Sequence, residues 1–248
     1  MRELDLFYDN RKSKVSHYEG RLGVFDYDPE EFELQEFCYE YYLHYCGKGK
    51  SVDLPKGCID TSYMFAECEL PPDFTLGPDF DTSNVTNMEN MFQECVLPRA
   101  FSLGEHFDTS NVTDMCCMFE SCGLPEGFSL GECFDTSRVT DMYGMFEECE
   151  LPKDFTLGEH FDTSNVTDMS DMFSYCSLSY GFSLGEHFTT SNVTSMVGMF
   201  YACKLPEGFS LGEHFDTSNV TDMEAMFDLC RFCLLYTSPS PRDISGSR

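Results

Sequence analysis

A run of 16 residues recurs every 27 positions through most of the chain, and this repetition limits the fold more than any other feature. In the copy at Phe107–Cys122 it reads Phe-Asp-Thr-Ser-Asn-Val-Thr-Asp-Met-Cys-Cys-Met-Phe-Glu-Ser-Cys. A fixed period of about 20 to 50 residues is typical of stacked repeats, in which each unit buries its apolar side against its neighbours. The spacing therefore predicts a repeat solenoid built from 27-residue coils. The closing cysteine of the run recurs without slippage at Cys68, Cys95, Cys122, Cys149, Cys176, Cys203 and Cys230.

The apolar positions of one coil indicate which side chains form the shared core. The alternation in Phe101-Ser-Leu103 predicts a short strand. After Val112 the apolar spacing becomes helical, which predicts a short helical or irregular return. Thr109, Ser110 and Asn111 are then the candidate N-caps of that return. The predicted core positions are Leu97, Phe101, Leu103, Phe107, Val112, Met115, Met118, Phe119 and Cys122.

Three regions differ in composition. Residues 1–52 are rich in Tyr, Phe and Glu and lack the repeat, so we expect a small N-terminal cap with strands that covers the first coil. Residues 53–230 form about seven coils, the first of them shortened, because Ile59–Ser62 runs directly into Tyr63–Phe65 and six residues of the repeat are missing there. Residues 231–248 break the pattern and are interpreted as a non-native tail that resembles sequencing-adaptor read-through.

The charge of the chain excludes some classes of partner. The formal net charge is -29, and residues 51–230 hold 32 acidic and 5 basic side chains. Such a surface repels nucleic-acid phosphates and anionic lipids. No apolar stretch reaches the length of a membrane span, and Met1–Leu22 has no apolar region typical of an export signal.

The cysteines favour a structural interpretation. Seven of the 14 cysteines occupy one repeated position beside Met and Phe, which indicates buried thiols that act as small apolar side chains. Neighbouring coils of such stacks lie about 5 Å apart, so a disulfide between neighbours stays open as an alternative.

Two columns of polar residues are candidate metal sites. Repeated carboxylates about 5 Å apart repel each other, and calcium would offset that repulsion. The alternative is that each Asp accepts hydrogen bonds from backbone amides at a corner of the coil. A second column brings a thiol between imidazoles, which are zinc-type ligands, although no fourth ligand is evident. The candidates are Asp81, Asp108, Asp135 and Asp162 in the first column and His106, Cys133 and His160 in the second.

Two adjacent positions vary from coil to coil within an otherwise repeated frame, as in Cys116-Cys117. Variation against a constant scaffold resembles a binding face, and the alternative is that these positions are solvent-facing and unconstrained. No separate arrangement of nucleophile and base emerges, and no phosphate-binding loop is present, so we expect no enzymatic activity and no cofactor. The binding-face candidates are Glu89, Asn90, Tyr143, Ser170, Asp171, Val197 and Glu224.

The repeat Phe-Asp-Thr-Ser-Asn-Val-Thr-Asp-Met-x-x-Met-Phe-x-x-Cys resembles that of BspA-type bacterial leucine-rich-repeat surface proteins over about residues 53–230. The stretch Tyr45–Gly57 resembles the segment that leads into such arrays. The resemblance implies a leucine-rich-repeat-like solenoid that is secreted or displayed at the cell surface, where it serves adhesion or interaction.

Two functions follow as hypotheses. The first is a non-enzymatic interaction or adhesion module that presents a repeated acidic surface to a protein or glycan partner. The second is a structural or surface-layer module that depends on a cation such as calcium.

Overall fold

The computed structural model describes residues 51–54 and 56–232. The expected cap, apart from its last two residues, and the tail from residue 233 onward lie outside the described residues. Within these described residues there are four two-residue strands: β1 (Ser51–Val52), β2 (Thr75–Leu76), β3 (Lys204–Leu205) and β4 (Arg231–Phe232). Strand β1 pairs with β2 and β3 pairs with β4, both in parallel. The described part of the chain contains no α-helix and hence none that would span a bilayer.

Single parallel bridges continue the pairing between these strands. Asp60 pairs with Asn87, and the same position then pairs from coil to coil as far as Asp222. A second series begins at Glu69, which pairs with Val96. Partners in both series are 27 residues apart, so successive coils lie side by side in parallel and in register. The solenoid interpretation depends on this arrangement, and its leucine-rich-repeat-like character stays a prediction.

The first coil is shorter than the others, although not at the predicted place. Val52 pairs with Leu76, an offset of 24 residues, whereas Asp60 pairs with Asn87, an offset of 27. Three residues, not six, are therefore missing, and they are missing between Val52 and Asp60. Ile59–Ser62 belongs to the register of the later Asn87 segment, so it has not lost residues before Tyr63.

The core contains three columns of phenylalanine that run along the stack, together with the repeated Val, Met, Leu and Cys side chains. Phe92, Phe119 and Phe146 belong to the first column, with ring centroids 5.4 and 5.7 Å apart and ring planes within 4° of parallel. Phe128 of the second column meets Phe119 edge-on at 6.0 Å. Phe107 belongs to the third and stacks on its neighbours at 6.3 and 6.4 Å. All nine positions predicted to form the core of a coil are buried.

The return after Val112 is a series of turns, so of the two predicted forms the irregular one describes it. Two residues in this segment, Cys117 and Ser121, have positive φ angles of 53° and 52°, which end any right-handed helix. Successive backbone N–H groups alternate between acceptors in the same coil and acceptors in the next coil. The N–H groups of Met118 and Glu120 bond three residues back in the same coil, whereas those of Cys117, Phe119 and Ser121 donate to carbonyls of the next coil.

The expected strand at Phe101–Leu103 is absent, although β2 forms at the corresponding place one coil earlier. Gly104, which follows that segment, has a φ of 81°, so the backbone there is left-handed and not extended as in a strand. Gly77, which follows β2, does not have a positive φ, and its N–H bonds to the carbonyl of Val52 at 2.7 Å. A Cβ on Gly77 would lie 2.9 Å from the carbonyl oxygen of Val52 in β1 and 1.9 Å from Asp53 Oδ1, so β1 and the residue after it leave little room for a side chain there.

The candidate N-caps join coils instead of capping a helix. Thr109 is fully buried and its hydroxyl donates to the carbonyl of Asp135 in the next coil at 2.7 Å. The side-chain amide of Asn111 donates to the carbonyl of Ser83 in the preceding coil at 2.8 Å. These repeated polar residues therefore hold the stack in register.

The repeated cysteines also bond to neighbouring coils. The Cys122 and Cys149 thiols donate to the carbonyls of Cys95 and Cys122, at 3.2 and 3.0 Å. Burial raises the pKa of Cys122 to about 12, so the thiol stays protonated at neutral pH. At this repeated position the free buried thiols from the second coil to the sixth are Cys95, Cys122, Cys149, Cys176 and Cys203.

The last described residues follow the repeat. Arg231 and Phe232 pair with Lys204 and Leu205 at the 27-residue offset, and the N–H of Arg231 donates to the carbonyl of Cys203 at 2.9 Å. The expectation that the pattern breaks at Arg231 is therefore wrong for these two residues, since main-chain pairing needs no particular side chain.

Candidate functional site

The turn segments of successive coils form one surface, which we call the return face. It consists of the side chains that point outward from residues 61–68 and from the equivalent segments of each later coil, ending with residues 223–230. In the copy at 142–149, Met142, Met145, Phe146 and Cys149 are buried, whereas Tyr143, Glu147 and Glu148 reach the outside. The turns thus sort the segment into an apolar inner side and a polar outer side.

The centre of the return face is a group of carboxylates that face one another. The charges of Asp171, Glu120 and Glu148 all act on the Glu147 carboxylate. Burial and then the charge of Asp171 raise the pKa of Glu147 to about 7. Burial also raises the pKa of Asp171, although the neighbouring side chains of Ser174 and Tyr143 partly oppose this. Ionised side chains are therefore held here at a cost in free energy, because neither water nor a basic residue fully compensates them.

Hydrogen bonds arrange the side chains on either side of this group. The phenol of Tyr63 and the side-chain amide of Asn90 both donate to Glu89 Oε1, at 3.3 and 3.2 Å. The side-chain amide of Gln93 donates to Glu120 Oε2 at 2.9 Å. Burial is again the main reason that the pKa of Glu89 is raised, followed by the charge of a neighbouring Asp. The carboxylates thus have fixed positions.

A further column of acidic residues lies at the edge of the return face, where the coils pair. Asp141 is half-buried and its Oδ1 accepts the N–H of Tyr143 at 2.9 Å. The carboxylates of Asp114 and Asp168, in the coils before and after it, face it. Burial and these two charges raise the pKa of Asp141, and the hydrogen bond from Tyr143 only partly opposes the shift.

The structure divides the predicted binding-face residues into two groups. Tyr143 and Glu224 are exposed, and Glu89, Asp171 and Val197 are half-buried, so these five contribute to the return face. Asn90 and Ser170 are only 6% and 5% exposed. For these two a direct contact with a partner was the wrong expectation, because they are buried beneath the face and bond inside the stack. The Ser170 hydroxyl, for example, lies 2.7 Å from that of Ser195.

Sequence reasoning missed Glu120, Glu147 and Glu148, which form the centre of the carboxylate group. They occupy the two variable positions between the Phe and the Cys of Met-Phe-x-x-Cys. The same signal that identified the first variable pair, a change of residue in a constant frame, was present there too. Only the turn geometry indicates that the two variable pairs share a surface.

The carboxylates at the corner of the coil bond to the backbone. Asp81, Asp108, Asp135 and Asp162 each present Oδ1 to the N–H group two residues later, at 2.8 to 2.9 Å. This hydrogen bond, from Ser83, is the main cause of the lowered pKa of Asp81. The corner bonding expected as the alternative to calcium is therefore present.

The candidate zinc column lies on the surface. His106, Cys133 and His160 are all exposed, and the Cys133 thiol donates to the carbonyl of Glu105 at 3.5 Å. Among residues 51–54 and 56–232, no group of three or more His, Cys, Asp or Glu side chains is placed to hold one metal ion. The structure thus does not bring together the ligands of either predicted metal site.

A family model described as "Mycoplasma protein of unknown function, DUF285" matches residues 59–173 and 126–233. The two overlapping matches span most of the stacked coils. No curated protein and no solved structure matches the chain.

Proposed function

Because the chain belongs to the DUF285 family, whose description states no function, we propose one from the geometry of the return face. The chain is a non-enzymatic interaction module, and its return face binds a protein partner that presents a cationic surface. We further propose that it is a leucine-rich-repeat-like solenoid of the BspA type, displayed at the cell surface or secreted.

One observation carries this proposal: the repeated apolar, Thr and Asn residues fill the core or link the coils, whereas several residues at the variable positions reach the surface. The Phe, Met and Cys columns fill the core, and the Thr109 and Asn111 columns bond to neighbouring coils. Tyr143, Glu147 and Glu224 come from the variable positions and reach the surface. A scaffold with a variable outer surface suits recognition, for which solenoids generally use their extended faces.

The charge distribution favours a cationic partner. The pKa values of Glu147 and Asp171 are raised, which means that their ionised forms are disfavoured in the free chain. A nearby positive charge stabilises those ionised forms. A Lys or Arg side chain supplies that charge together with hydrogen-bond donors for the carboxylates. Tyr143, 38% exposed, adds an aromatic side chain of the type enriched in protein interfaces.

The proposal is tested with a triple variant and a control of equal charge. Glu120→Gln, Glu147→Gln and Asp171→Asn remove three charges from the return face, and Glu105→Gln, Glu132→Gln and Glu159→Gln remove three from another column. Binding to immobilised poly-L-lysine is measured by surface plasmon resonance. We expect the first triple variant to bind about tenfold more weakly, which corresponds to about 1.4 kcal/mol, and the control to change less than about threefold.

Equal losses in the two variants contradict a specific face, because net charge alone then determines binding. If a neutral glycan competes with poly-L-lysine for the chain and a basic peptide does not, the return face binds a glycan, and the proposal of a cationic protein partner is wrong.

A further inference from the structure

One coil carries a pair of adjacent thiols on the return face, and no other coil has two. Cys116 and Cys117 occupy the variable pair that is Tyr143-Gly144 in the next coil. Their sulfur atoms lie 3.6 Å apart. Cys116 is half-buried and Cys117 is 7% exposed, so the pair is reached from the side of Cys116.

The spacing of the two sulfurs suits chelation of one ion. Zinc forms tetrahedral sites with bonds to sulfur of about 2.3 Å. Two sulfurs 3.6 Å apart, each at that distance from one ion, subtend an angle of about 103° there, close to the tetrahedral angle of about 109°. The thiols can therefore hold such an ion without moving apart or together.

A disulfide between the same residues is a poor alternative. Adjacent Cα atoms are about 3.8 Å apart across a trans peptide bond, whereas disulfides usually join Cα atoms about 4.4 to 6.8 Å apart. The sulfurs would also have to approach from 3.6 Å to about 2.05 Å. An ion that bridges the two sulfurs requires neither change.

The surroundings of the thiols favour a cation. The Cys116 thiol, burial and the Glu120 carboxylate raise the pKa of the Cys117 thiol, so a thiolate there is stabilised by a nearby cation. Gly144 keeps space open above Cys117, because a Cβ there would lie 3.0 Å from Cys117 Sγ and 3.2 Å from Glu147 Oε2. The Cys117 thiol and the Glu147 carboxylate thus lie on two sides of the space that Gly144 leaves open, where a positive ion offsets negative charge.

We propose that Cys116 and Cys117 form a chelating site for a thiophilic divalent cation of the zinc class. Each thiol gives its proton to the buffer, both sulfurs bind the ion as thiolates, and solvent completes the coordination. Since no third protein ligand is in place among the described residues, the ion keeps open positions and exchanges readily.

The site is tested by titrating Cd2+ into the full chain, in which Cys38, Cys46 and Cys233 are replaced by Ser to remove thiols outside the described residues. We expect one Cd2+ per chain by native mass spectrometry, with a thiolate-to-cadmium absorption band in the ultraviolet. Isothermal titration in two buffers of different ionisation enthalpy should report close to two protons released for each ion bound.

Cys116→Ser should abolish the bound ion and the absorption band, and its melting temperature should stay close to that of the parent because Cys116 is half-buried. Cys133→Ser, which removes an exposed single thiol, is the matched control and should retain both signals. An equal cadmium stoichiometry in the parent and in Cys116→Ser overturns the proposal. So does loss of binding in Cys133→Ser, because the ion is then held at the other column.

Discussion

Asp81 and Asp141 make the same hydrogen bond and yet their pKa values move in opposite directions. Each carboxylate accepts the N–H group two residues later, at 2.9 Å. Asp81 is exposed, and this hydrogen bond lowers its pKa. Asp141 is half-buried between Asp114 and Asp168, and burial with those charges raises its pKa. The difference arises from the environment that neighbouring coils create, and not from the local turn.

This comparison separates two uses of acidic residues in one repeat. At the corner, the carboxylates act as backbone hydrogen-bond acceptors, and the charge of the exposed Asp81 is solvated. On the return face, part of the charge is withdrawn from water and remains uncompensated within the stack. A surface of the second kind gains more from binding a cation, which is why the proposed function places the partner there.

The largest effect is expected from breaking the core that supports both columns. Phe119 is fully buried between Phe92 and Phe146. Phe119→Ala should lower the free energy of unfolding by about 3 to 5 kcal/mol, because it leaves a cavity that the stacked rings cannot close. Phe227→Ala, at an equivalent position that is 39% exposed, is the control and should cost clearly less. Urea unfolding followed by circular dichroism measures both. A smaller loss for Phe119→Ala than for Phe227→Ala would contradict the shared core.

The next effect is a decrease of the free energy of unfolding with rising pH, which we expect from Glu147 on the return face. The pKa of Glu147 is about 7 in the folded chain, against a reference value of 4.5. Between these pH values the folded state holds a proton that the unfolded state has lost, so the free energy of unfolding falls as pH rises. Glu147 is partly solvated, so we expect this contribution to be about 1 kcal/mol.

Urea unfolding between pH 4.5 and 7 measures the effect. Glu147→Gln should remove the contribution, and Glu148→Gln, which removes only the weakest of the three charges that raise the pKa of Glu147, should leave most of it in place. If the free energy of unfolding of Glu147→Gln falls with pH as steeply as that of the parent, Glu147 is not the source of this pH dependence.

A pair of conservative substitutions compares the two Asp columns directly. Asp141→Asn keeps the acceptor for the N–H of Tyr143 and removes a charge, so it should raise the free energy of unfolding at pH 7 by about 0.5 to 1 kcal/mol. Asn87 already occupies that column and accepts the N–H of Glu89 at 2.9 Å. Asp81→Asn should instead lower the stability by a few tenths of a kcal/mol, since a charged acceptor bonds more strongly. If both substitutions change the free energy of unfolding in the same direction, the two Asp columns do not differ in the way described.

The smallest effect is expected from calcium. The alternative hypothesis of a calcium-dependent structural module predicts a lower melting temperature when a calcium chelator is added. The corner carboxylates already accept backbone N–H groups, so we expect the melting temperatures with EGTA and with added Ca2+ to agree. A clear rise of the melting temperature with Ca2+ would favour the alternative function.

The residues of one coil show how far sequence reasoning reached. The period and the buried positions Phe107, Met115 and Phe119 were predictable, because burial of a repeated apolar residue requires only that copies stack. The turn at Cys117 was not predictable, because Met and Phe at spacings of three also fit a helix. The backbone at this position of the coil is left-handed, and the residues there include Tyr63, Asn90, Cys117 and Asp171. Gly144 and Gly198 occupy the same position in two other coils, and glycine is the residue that most clearly indicates such a backbone.

The amino-acid sequence by itself determined the 27-residue unit, the apolar spine and the excess of negative charge, since each depends on composition and order along the chain. The tertiary structure alone decided which carboxylates bond to amides, which face one another, and that two adjacent thiols lie beside Glu120 and Gly144. The carboxylate–amide bonds depend on the turns within a coil, and the contacts between carboxylates of different coils depend on the register of the stack, which no single coil encodes.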